Sequence, residues 1–144
     1  MRISYFAYGS NMNFEQMERR CPGASVKGRA YLKGWRYFIN GNGYAGIERW
    51  HEGIVWGGVW ELKEFHWNAL DQYEAVDQGF YSRVQIRIQL QEAQVFREIK
   101  VFTYLSNNYD YGSPTSDYQE IVLKGGGDLK LDEEYLFELS KWKN

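Results

Sequence analysis

The segment "ISYFAYGSNMNFEQMERRCPG", residues 3–23, changes from a strand pattern to a helix pattern within a few positions. Residues 3–8 are short, apolar and aromatic and are followed by Gly9, which predicts a β-strand. Asn13 and Gln16 have the spacing of a helix N-terminus, so we predict a helix over residues 14–20 that stops at the following Cys-Pro-Gly sequence. The Gly-Ser-Asn sequence at residues 9–11 is therefore predicted to be a strand-to-helix turn.

The rest of the chain predicts mostly strands. Short apolar stretches separated by glycine-rich or polar turns predict strands over residues 25–32, 35–40, 44–49 and 53–62. Residues 81–90 alternate between apolar and polar, and residues 96–105 are expected to pair with them as a hairpin. Helices are predicted over residues 63–75 with Glu74 near the C-terminal end, over 117–124 between Ser116 and a glycine run, and over 133–141 after Asp132.

Strands dominate the middle of the chain and helices do not alternate with them, which favours an α+β fold over a parallel α/β fold. We expect a small closed β-barrel, mixed or antiparallel, with peripheral helices. The 144 residues are enough for one domain with a core, so residues 1–144 are predicted to form a single domain.

Composition narrows the possible partners. The net charge of −2 and the pI near 5.7 provide no basic surface for nucleic acid, although an aromatic content of 18% would suit an RNA-stacking sheet. One cysteine and two histidines cannot form an intramolecular disulfide or a usual structural zinc site. With no signal peptide or membrane span visible, we expect a cytoplasmic protein without metal, nucleic-acid or membrane partners.

Several apparent motifs have simpler explanations. Residues 41–46 match G-x-G-x-x-G but continue as strand or loop rather than as a helix, so we interpret them as a hairpin turn. The glycines at 125–127 lack the Lys-Ser or Lys-Thr that follows a phosphate loop and are predicted to end a helix.

Neither Ser10 nor Cys21 has the neighbouring groups that would activate it as a nucleophile. Ser10 lies outside a G-x-S-x-G elbow and has no evident histidine partner, while Cys21 has no evident base. His51 and His66 are far apart in the sequence and are expected to be surface or half-buried side chains.

Two features remain as candidates for chemistry. The turn at residues 9–11 leaves backbone N–H groups converging at a helix start, where an anion could bind. In "LDQYEAVDQGFYSR", residues 70–83, Glu74 lies among aromatic and apolar neighbours whose burial of the carboxyl would raise its pKa and make it a base near neutrality. Each feature also has a purely structural interpretation, as an ordinary turn and as an exposed helix-end glutamate.

Together with "VWGGVWEL" at 55–62, "TYLSNNY" at 103–109 and the helix within 113–124, these two segments resemble, in order and spacing, the γ-glutamylcyclotransferase (AIG2-like) family. The resemblance implies a small closed β-barrel with a cavity between the turn and the glutamate. It also implies a reaction without a cofactor, in which the α-amine of a γ-glutamyl amine or amino acid attacks its own γ-carbonyl. The products are 5-oxoproline and the released amine.

The resemblance also implies site residues. Glu74 would be the general acid/base, and the turn at Tyr8, Gly9 and Ser10 would bind an anion or oxyanion. The residues implied to bind substrate are Tyr5, Phe6, Ala7, Tyr8, Gly9, Ser10, Asn11, Tyr81 and Tyr118. Of these, Asn11 is expected to hold the turn by side-chain hydrogen bonds rather than to touch substrate. A binding module without activity on the same fold is the alternative.

One position departs from the family pattern. Many members have Gly after the glutamate, whereas this chain has Ala75. We expect the methyl group to alter the backbone or narrow the cavity, with more effect on substrate identity than on catalysis.

Overall fold

The computed structural model describes residues 2–143, which form an α+β fold with five strands and four α-helices. The strands are β1 (Arg2–Ala7), β2 (Ser25–Ile39), β3 (Ala45–Lys63), β4 (Tyr81–Glu92) and β5 (Val95–Ser106). The helices are α1 (Phe14–Arg20), α2 (His66–Tyr73), α3 (Ser116–Asp128) and α4 (Glu133–Ser140), and short 3-10 turns occupy Ser10–Met12 and Val76–Gln78.

The five strands form one sheet that closes on itself in the order β1-β3-β2-β4-β5. β5 pairs with β1 in parallel, Tyr5 lying opposite Phe102, and the other pairings are antiparallel. The core contains fully buried apolar side chains, among them Phe6, Ile47, Leu62 and Leu90. The predicted closed, mixed sheet with peripheral helices is confirmed.

The prediction of four strands over residues 25–62 was wrong, because β2 and β3 are two long strands. Gly34, with a φ of +87°, lies at a register shift between Lys33 and Trp35, so the predicted turn is an irregularity within β2. Residues 50–52 of β3 are exposed and polar or aromatic, and they lack the alternation of a half-buried strand. Sequence pattern therefore suggested turns where the backbone stays extended.

Helix α1 has the predicted bounds, and the Asn13 side chain accepts a hydrogen bond from the Gln16 N–H at 2.9 Å. The hairpin of β4 and β5 is also confirmed, with Ala93 in its turn at a φ of +57°. Helix α2 ends at Tyr73, and Glu74 is its C-terminal cap residue.

The glycines at 125–127 do not end α3, as the sequence suggested, but lie inside it. A Cβ atom at Gly125 would lie 2.5 Å from the Asn13 nitrogen, and one at Gly126 would lie 2.4 Å from the Leu136 side chain. These glycines are needed because neighbouring segments approach the helix closely. The N-cap also differs from the prediction, since Thr115 rather than Ser116 accepts the Tyr118 N–H.

The last helix, α4, begins after Asp132 as predicted, although the Asp132 side chain makes no capping hydrogen bond. Among residues 2–143, no helix is long and apolar enough to cross a membrane.

Candidate active site

A cavity of about 480 Å³ lies where the turn after β1 meets the end of α2, the start of β4 and the start of α3. Its wall includes the following residues predicted from the sequence: Tyr5, Tyr8, Gly9, Ser10, Asn11, Glu74, Tyr81 and Tyr118. Segments that are far apart in the sequence therefore bring the predicted turn and the predicted glutamate to one cavity.

Phe6 and Ala7, which were also implied to bind substrate, are not part of the cavity wall. Phe6 follows Tyr5 on a strand, where successive side chains point to opposite faces, and it is fully buried. Ala7 is 1% exposed, and its carbonyl lies where a Cβ atom at Gly57 would be placed. Both residues are packed into the core, so the structure gives no support for direct contact with substrate.

Glu74 lies half-buried on the cavity wall, and its N–H donates to the Leu70 carbonyl at 2.9 Å. Removal of the carboxyl group from water raises its pKa to about 7, against the opposing effect of the Arg20 charge and with a smaller increase from Asp71. A carboxyl group with this pKa exchanges protons readily near neutral pH.

The Asn11 side chain connects Glu74 to the turn. Its Oδ1 accepts hydrogen bonds from Arg20 Nη1 at 2.9 Å and from Gln16 Nε2 at 3.2 Å. Its Nδ2 donates to the Tyr5 hydroxyl at 3.0 Å and lies 3.5 Å from Glu74 Oε1. Because the Arg20 guanidinium can only donate, Asn11 Oδ1 must face it, and the NH₂ group of Asn11 therefore faces Tyr5 and Glu74.

The turn after β1 is in close contact with the neighbouring segments. A Cβ atom at Gly9 would lie 2.9 Å from the Ala45 side chain and 3.3 Å from the Tyr118 hydroxyl, so glycine allows a close approach here. The Met12 N–H donates to the Gly9 carbonyl, and the Asn13 N–H donates to the Ser10 carbonyl, both at 3.0 Å. These internal bonds do not use the Gly9 and Ser10 N–H groups, and the Ser10 N–H is directed at the Tyr118 hydroxyl.

Two tyrosines hold the part of the wall beside the turn through the backbone of Ala45. The Tyr81 hydroxyl donates to the Ala45 carbonyl at 2.5 Å, and the Ala45 N–H donates to the Tyr118 hydroxyl at 3.1 Å. Burial raises the pKa of Tyr118 to about 12, although hydrogen bonds from Ala45 and Ser10 oppose the increase. Both phenols therefore stay protonated near neutral pH and act as fixed hydrogen-bonding groups.

Sequence reasoning missed the buried Asn40, which organises this wall. Its Nδ2 donates to Ser106 Oγ at 3.0 Å and lies 3.4 Å from the Tyr81 hydroxyl. Its Oδ1 accepts the N–H groups of Asn42 and Tyr44 at 2.9 and 3.1 Å, which shapes the β2–β3 turn. An asparagine directly before Gly-Asn-Gly is a recognised signal for such a turn.

Sequence reasoning also missed a second acidic group near Glu74. Asp71 lies one helical turn before Glu74, and its Oδ1 accepts the Tyr104 hydroxyl at 2.6 Å. Its Oδ2 forms a salt bridge with Arg83 Nη1 at 3.2 Å. The three-residue spacing from Glu74 in the sequence was the available signal, since such residues lie on the same helix face.

Cys21 and His66, to which the sequence analysis assigned no chemistry, are both buried in the structure. Burial raises the pKa of the Cys21 thiol to about 11, which makes it a poor nucleophile. His66 is buried, not at the surface or half-buried as expected. Its Nδ1 accepts a hydrogen bond from the Lys63 N–H, and its Nε2 donates to the Pro22 carbonyl at 2.7 Å.

The hairpin interpretation of residues 41–46 is confirmed. Within residues 2–143, no group of three or more His, Cys, Asp or Glu is placed to hold a metal ion.

Ala75 follows Glu74 with a φ of +50° and a ψ of +47°, the left-handed conformation that favours glycine. Ala75 is also part of the cavity wall. The departure from the family pattern therefore places a methyl-bearing residue at a strained backbone position on the cavity wall.

The AIG2-like family model matches residues 54–139. The γ-glutamylcyclotransferase of Homo sapiens is 33% identical over 141 residues, which span 91% of this chain and 73% of that protein. The Mus musculus γ-glutamylcyclotransferase is 33% identical over 142 residues, with the same coverage. A solved structure of a γ-glutamyl cyclotransferase, 29% identical, superposes with a TM-score of 0.91 over 100% of this chain and 90% of that chain. The chain belongs to the AIG2-like family of γ-glutamylcyclotransferases.

Proposed function

We propose that this enzyme converts the γ-glutamyl group of a γ-glutamyl amine or amino acid to 5-oxoproline, with Glu74 as the general acid/base. The observation that carries the residue assignment is the position of Glu74. Its carboxyl group, with a pKa of about 7, lines the same cavity as the turn at Gly9 and Ser10. A binding module without activity would not need a carboxyl group adjusted in this way at the wall of its cavity.

The α-amine of the substrate is an ammonium ion near neutral pH and cannot attack a carbonyl. The Glu74 carboxylate takes its proton, and the amine nitrogen then forms a bond to the γ-carbonyl carbon. The protonated Glu74 next delivers this proton to the leaving nitrogen as the bond between that nitrogen and the γ-carbon breaks. After the attack the ring nitrogen gives up its second proton through Glu74, and the released amine takes this proton up to leave as an ammonium ion, so neither water nor a cofactor is consumed.

Negative charge develops on the γ-carbonyl oxygen when the amine attacks. The first N–H groups of the turn, at Gly9 and Ser10, are the donors that we assign to this oxyanion or to the substrate α-carboxylate. Each preorganised donor of this kind typically contributes about 3 kcal/mol of transition-state stabilisation. The close approach of Gly9 to Ala45 supports this assignment, because it restricts the backbone of the turn.

The reaction joins two parts of one substrate molecule, so the conformation in which it is held is part of the catalysis. We assign the buried Tyr81 and the half-buried Tyr118, both bonded to the Ala45 backbone, to enclose the glutamyl chain and favour the folded arrangement from which the ring closes. Holding the reacting atoms in this way removes much of the entropic barrier.

The test is a panel of γ-glutamyl amines and γ-glutamyl amino acids, with 5-oxoproline and the released amine measured together. Equal amounts of both products are expected from wild type. Ligand binding without 5-oxoproline formation would favour the binding-module alternative instead. The cytoplasmic location expected from the sequence stays a prediction, with which the free, buried thiol of Cys21 is compatible.

A further inference from the structure

The outer part of the cavity is lined by three aromatic side chains that are more than half exposed. Tyr44 is 53% exposed, Tyr73 is 57% exposed and Phe80 is 51% exposed. They come from separate segments: the β2–β3 turn, the last residue of α2 and the residue before β4. By contrast, Tyr5, Tyr8 and Tyr81 on the same wall are each less than 9% exposed.

These three side chains, here called the aromatic mouth, contribute little to the core. Large apolar side chains that remain exposed around a concave site are a common feature of ligand-binding surfaces. The cavity volume of about 480 Å³ is within the range of about 300–1000 Å³ found for drug-sized ligands. The cavity therefore has room for a sizeable leaving group beyond the glutamyl chain.

Arg20 places a positive charge beside the aromatic mouth. Its guanidinium carbon lies 4.1 Å from the centre of the Tyr73 ring, and its Nη1 donates to Asn11 Oδ1 at 2.9 Å. Arg20 forms no salt bridge with any carboxylate in residues 2–143, and it is the one cation on the described cavity wall. A guanidinium group held in this way has further N–H groups that match the geometry of a carboxylate.

We propose that the outer cavity is a leaving-group site for a large apolar amino acid, whose carboxylate binds Arg20 and whose side chain packs against the aromatic mouth. The preferred substrates are then γ-glutamyl derivatives of amino acids such as phenylalanine or leucine. This inference rests on the proposed cyclisation, since it assigns the part of the substrate that the reaction releases.

Three substrates separate the two contacts. γ-Glutamylphenylalanine carries both groups, γ-glutamylalanine lacks the large side chain, and γ-glutamylphenethylamine lacks the carboxylate. Wild type is expected to show a kcat/KM for the phenylalanine derivative at least about 10-fold above the value for the alanine derivative. The advantage over the phenethylamine derivative is expected to be about 10-fold or more, as for a hydrogen-bonded charged group.

Two variants test the assigned residues through substrate ratios, so that general losses of activity cancel. Arg20→Gln is expected to bring the ratio between the phenylalanine and phenethylamine derivatives close to one. Phe80→Ala is expected to lower the ratio between the phenylalanine and alanine derivatives about 5-fold or more. Phe137→Ala is the matched control, because Phe137 is 64% exposed on α4 and lies outside this cavity. It should leave both ratios unchanged.

An unchanged phenylalanine-to-phenethylamine ratio in Arg20→Gln, with both substrates slowed equally, would overturn the inference and place Arg20 on the glutamyl part of the substrate. A wild type with no preference for the phenylalanine derivative would also overturn it while leaving the cyclisation intact. Failure of the cyclisation itself would appear differently, as an absence of 5-oxoproline from every substrate.

Discussion

The side-chain amide of Asn11 lies between Arg20 and Glu74, accepting from Arg20 Nη1 at 2.9 Å on one side and presenting its NH₂ group 3.5 Å from Glu74 Oε1 on the other. The Asn11 carbonyl oxygen also accepts a hydrogen bond from Trp60 Nε1 at 2.9 Å, which fixes the backbone of the turn. Asn11 therefore connects the Glu74 carboxyl group to the turn.

Replacement of Asn11 by aspartate should move the pH dependence of the reaction. The new carboxylate faces Glu74 and repels its negative charge, which raises the pKa of Glu74 further. We expect the acid limb of kcat/KM to move to higher pH and the activity at pH 7 to fall about 10-fold or more. The measurement is a pH profile of kcat/KM for Asn11→Asp beside wild type. An acid limb in the wild-type position would contradict the positioning role.

Arg20 and Asp71 should shift the same limb in opposite directions. The Arg20 charge favours the carboxylate of Glu74 and lowers its pKa, whereas the Asp71 charge raises it. The base form of Glu74 is present above its pKa, so Arg20→Gln should move the acid limb to higher pH and Asp71→Asn should move it to lower pH. The test is to measure the pH profile of kcat/KM for both variants. A shift of the acid limb in the same direction in both would show that a group other than Glu74 controls it.

The strained backbone at Ala75 predicts a stabilising substitution. A left-handed conformation costs an L-residue about 1–2 kcal/mol, whereas glycine loses more conformational freedom on folding. Ala75→Gly should raise the free energy of unfolding by about 0.5–1 kcal/mol, as measured by urea denaturation. Ala93→Gly is the matched control, since Ala93 has a φ of +57° in the β4–β5 turn away from the cavity.

Both substitutions should stabilise the fold, but only Ala75→Gly should change KM, because Ala75 lies on the cavity wall. Equal changes of KM in the two variants, or no gain of stability in either, would contradict this account of position 75.

The glycines of α3 should respond differently to alanine. A Cβ atom at Gly125 would meet the backbone of Met12 and Asn13 at 2.5–2.7 Å, whereas a Cβ atom at Gly127 has nothing within 4 Å. Gly125→Ala should lower the free energy of unfolding by about 1–3 kcal/mol through overpacking. Gly127→Ala should raise it by about 0.5–1 kcal/mol through helix propensity. Thermal or urea unfolding of the two variants gives the comparison, and similar effects at both positions would argue against the close approach.

The sequence was informative where local pattern and tertiary structure agree. The bounds of α1, the β4–β5 hairpin and the position of Glu74 at the end of α2 follow from capping, alternation and helical spacing. The glycine run was wrongly interpreted as the end of α3. Glycine is needed at position 125 because α3 contacts Met12 and Asn13, which are distant in sequence. The two long strands were split for a related reason, since bulges and exposed strand residues resemble turns.

The candidate site shows the same division. The turn after β1 and Glu74 were found from the sequence and from family resemblance. The roles of Arg20, Asn40 and Asp71 were not found, because each depends on a hydrogen bond or a charge interaction between segments. Phe6 and Ala7 were included because the motif is contiguous, although strand geometry and core packing keep them from the cavity wall.

The central claim is that Glu74 transfers the proton of the reaction, and the direct measurement is 5-oxoproline formation by wild type, Glu74→Gln and Ser10→Ala under the same conditions. Glutamine keeps the shape of the side chain but cannot accept the proton, so Glu74→Gln should lose about 10²–10⁴-fold in kcat. Ser10→Ala retains the backbone N–H and should keep much more activity. Wild type should form 5-oxoproline with an acid limb near pH 7, in line with the raised pKa of Glu74. A Glu74→Gln variant as active as wild type would contradict the mechanism.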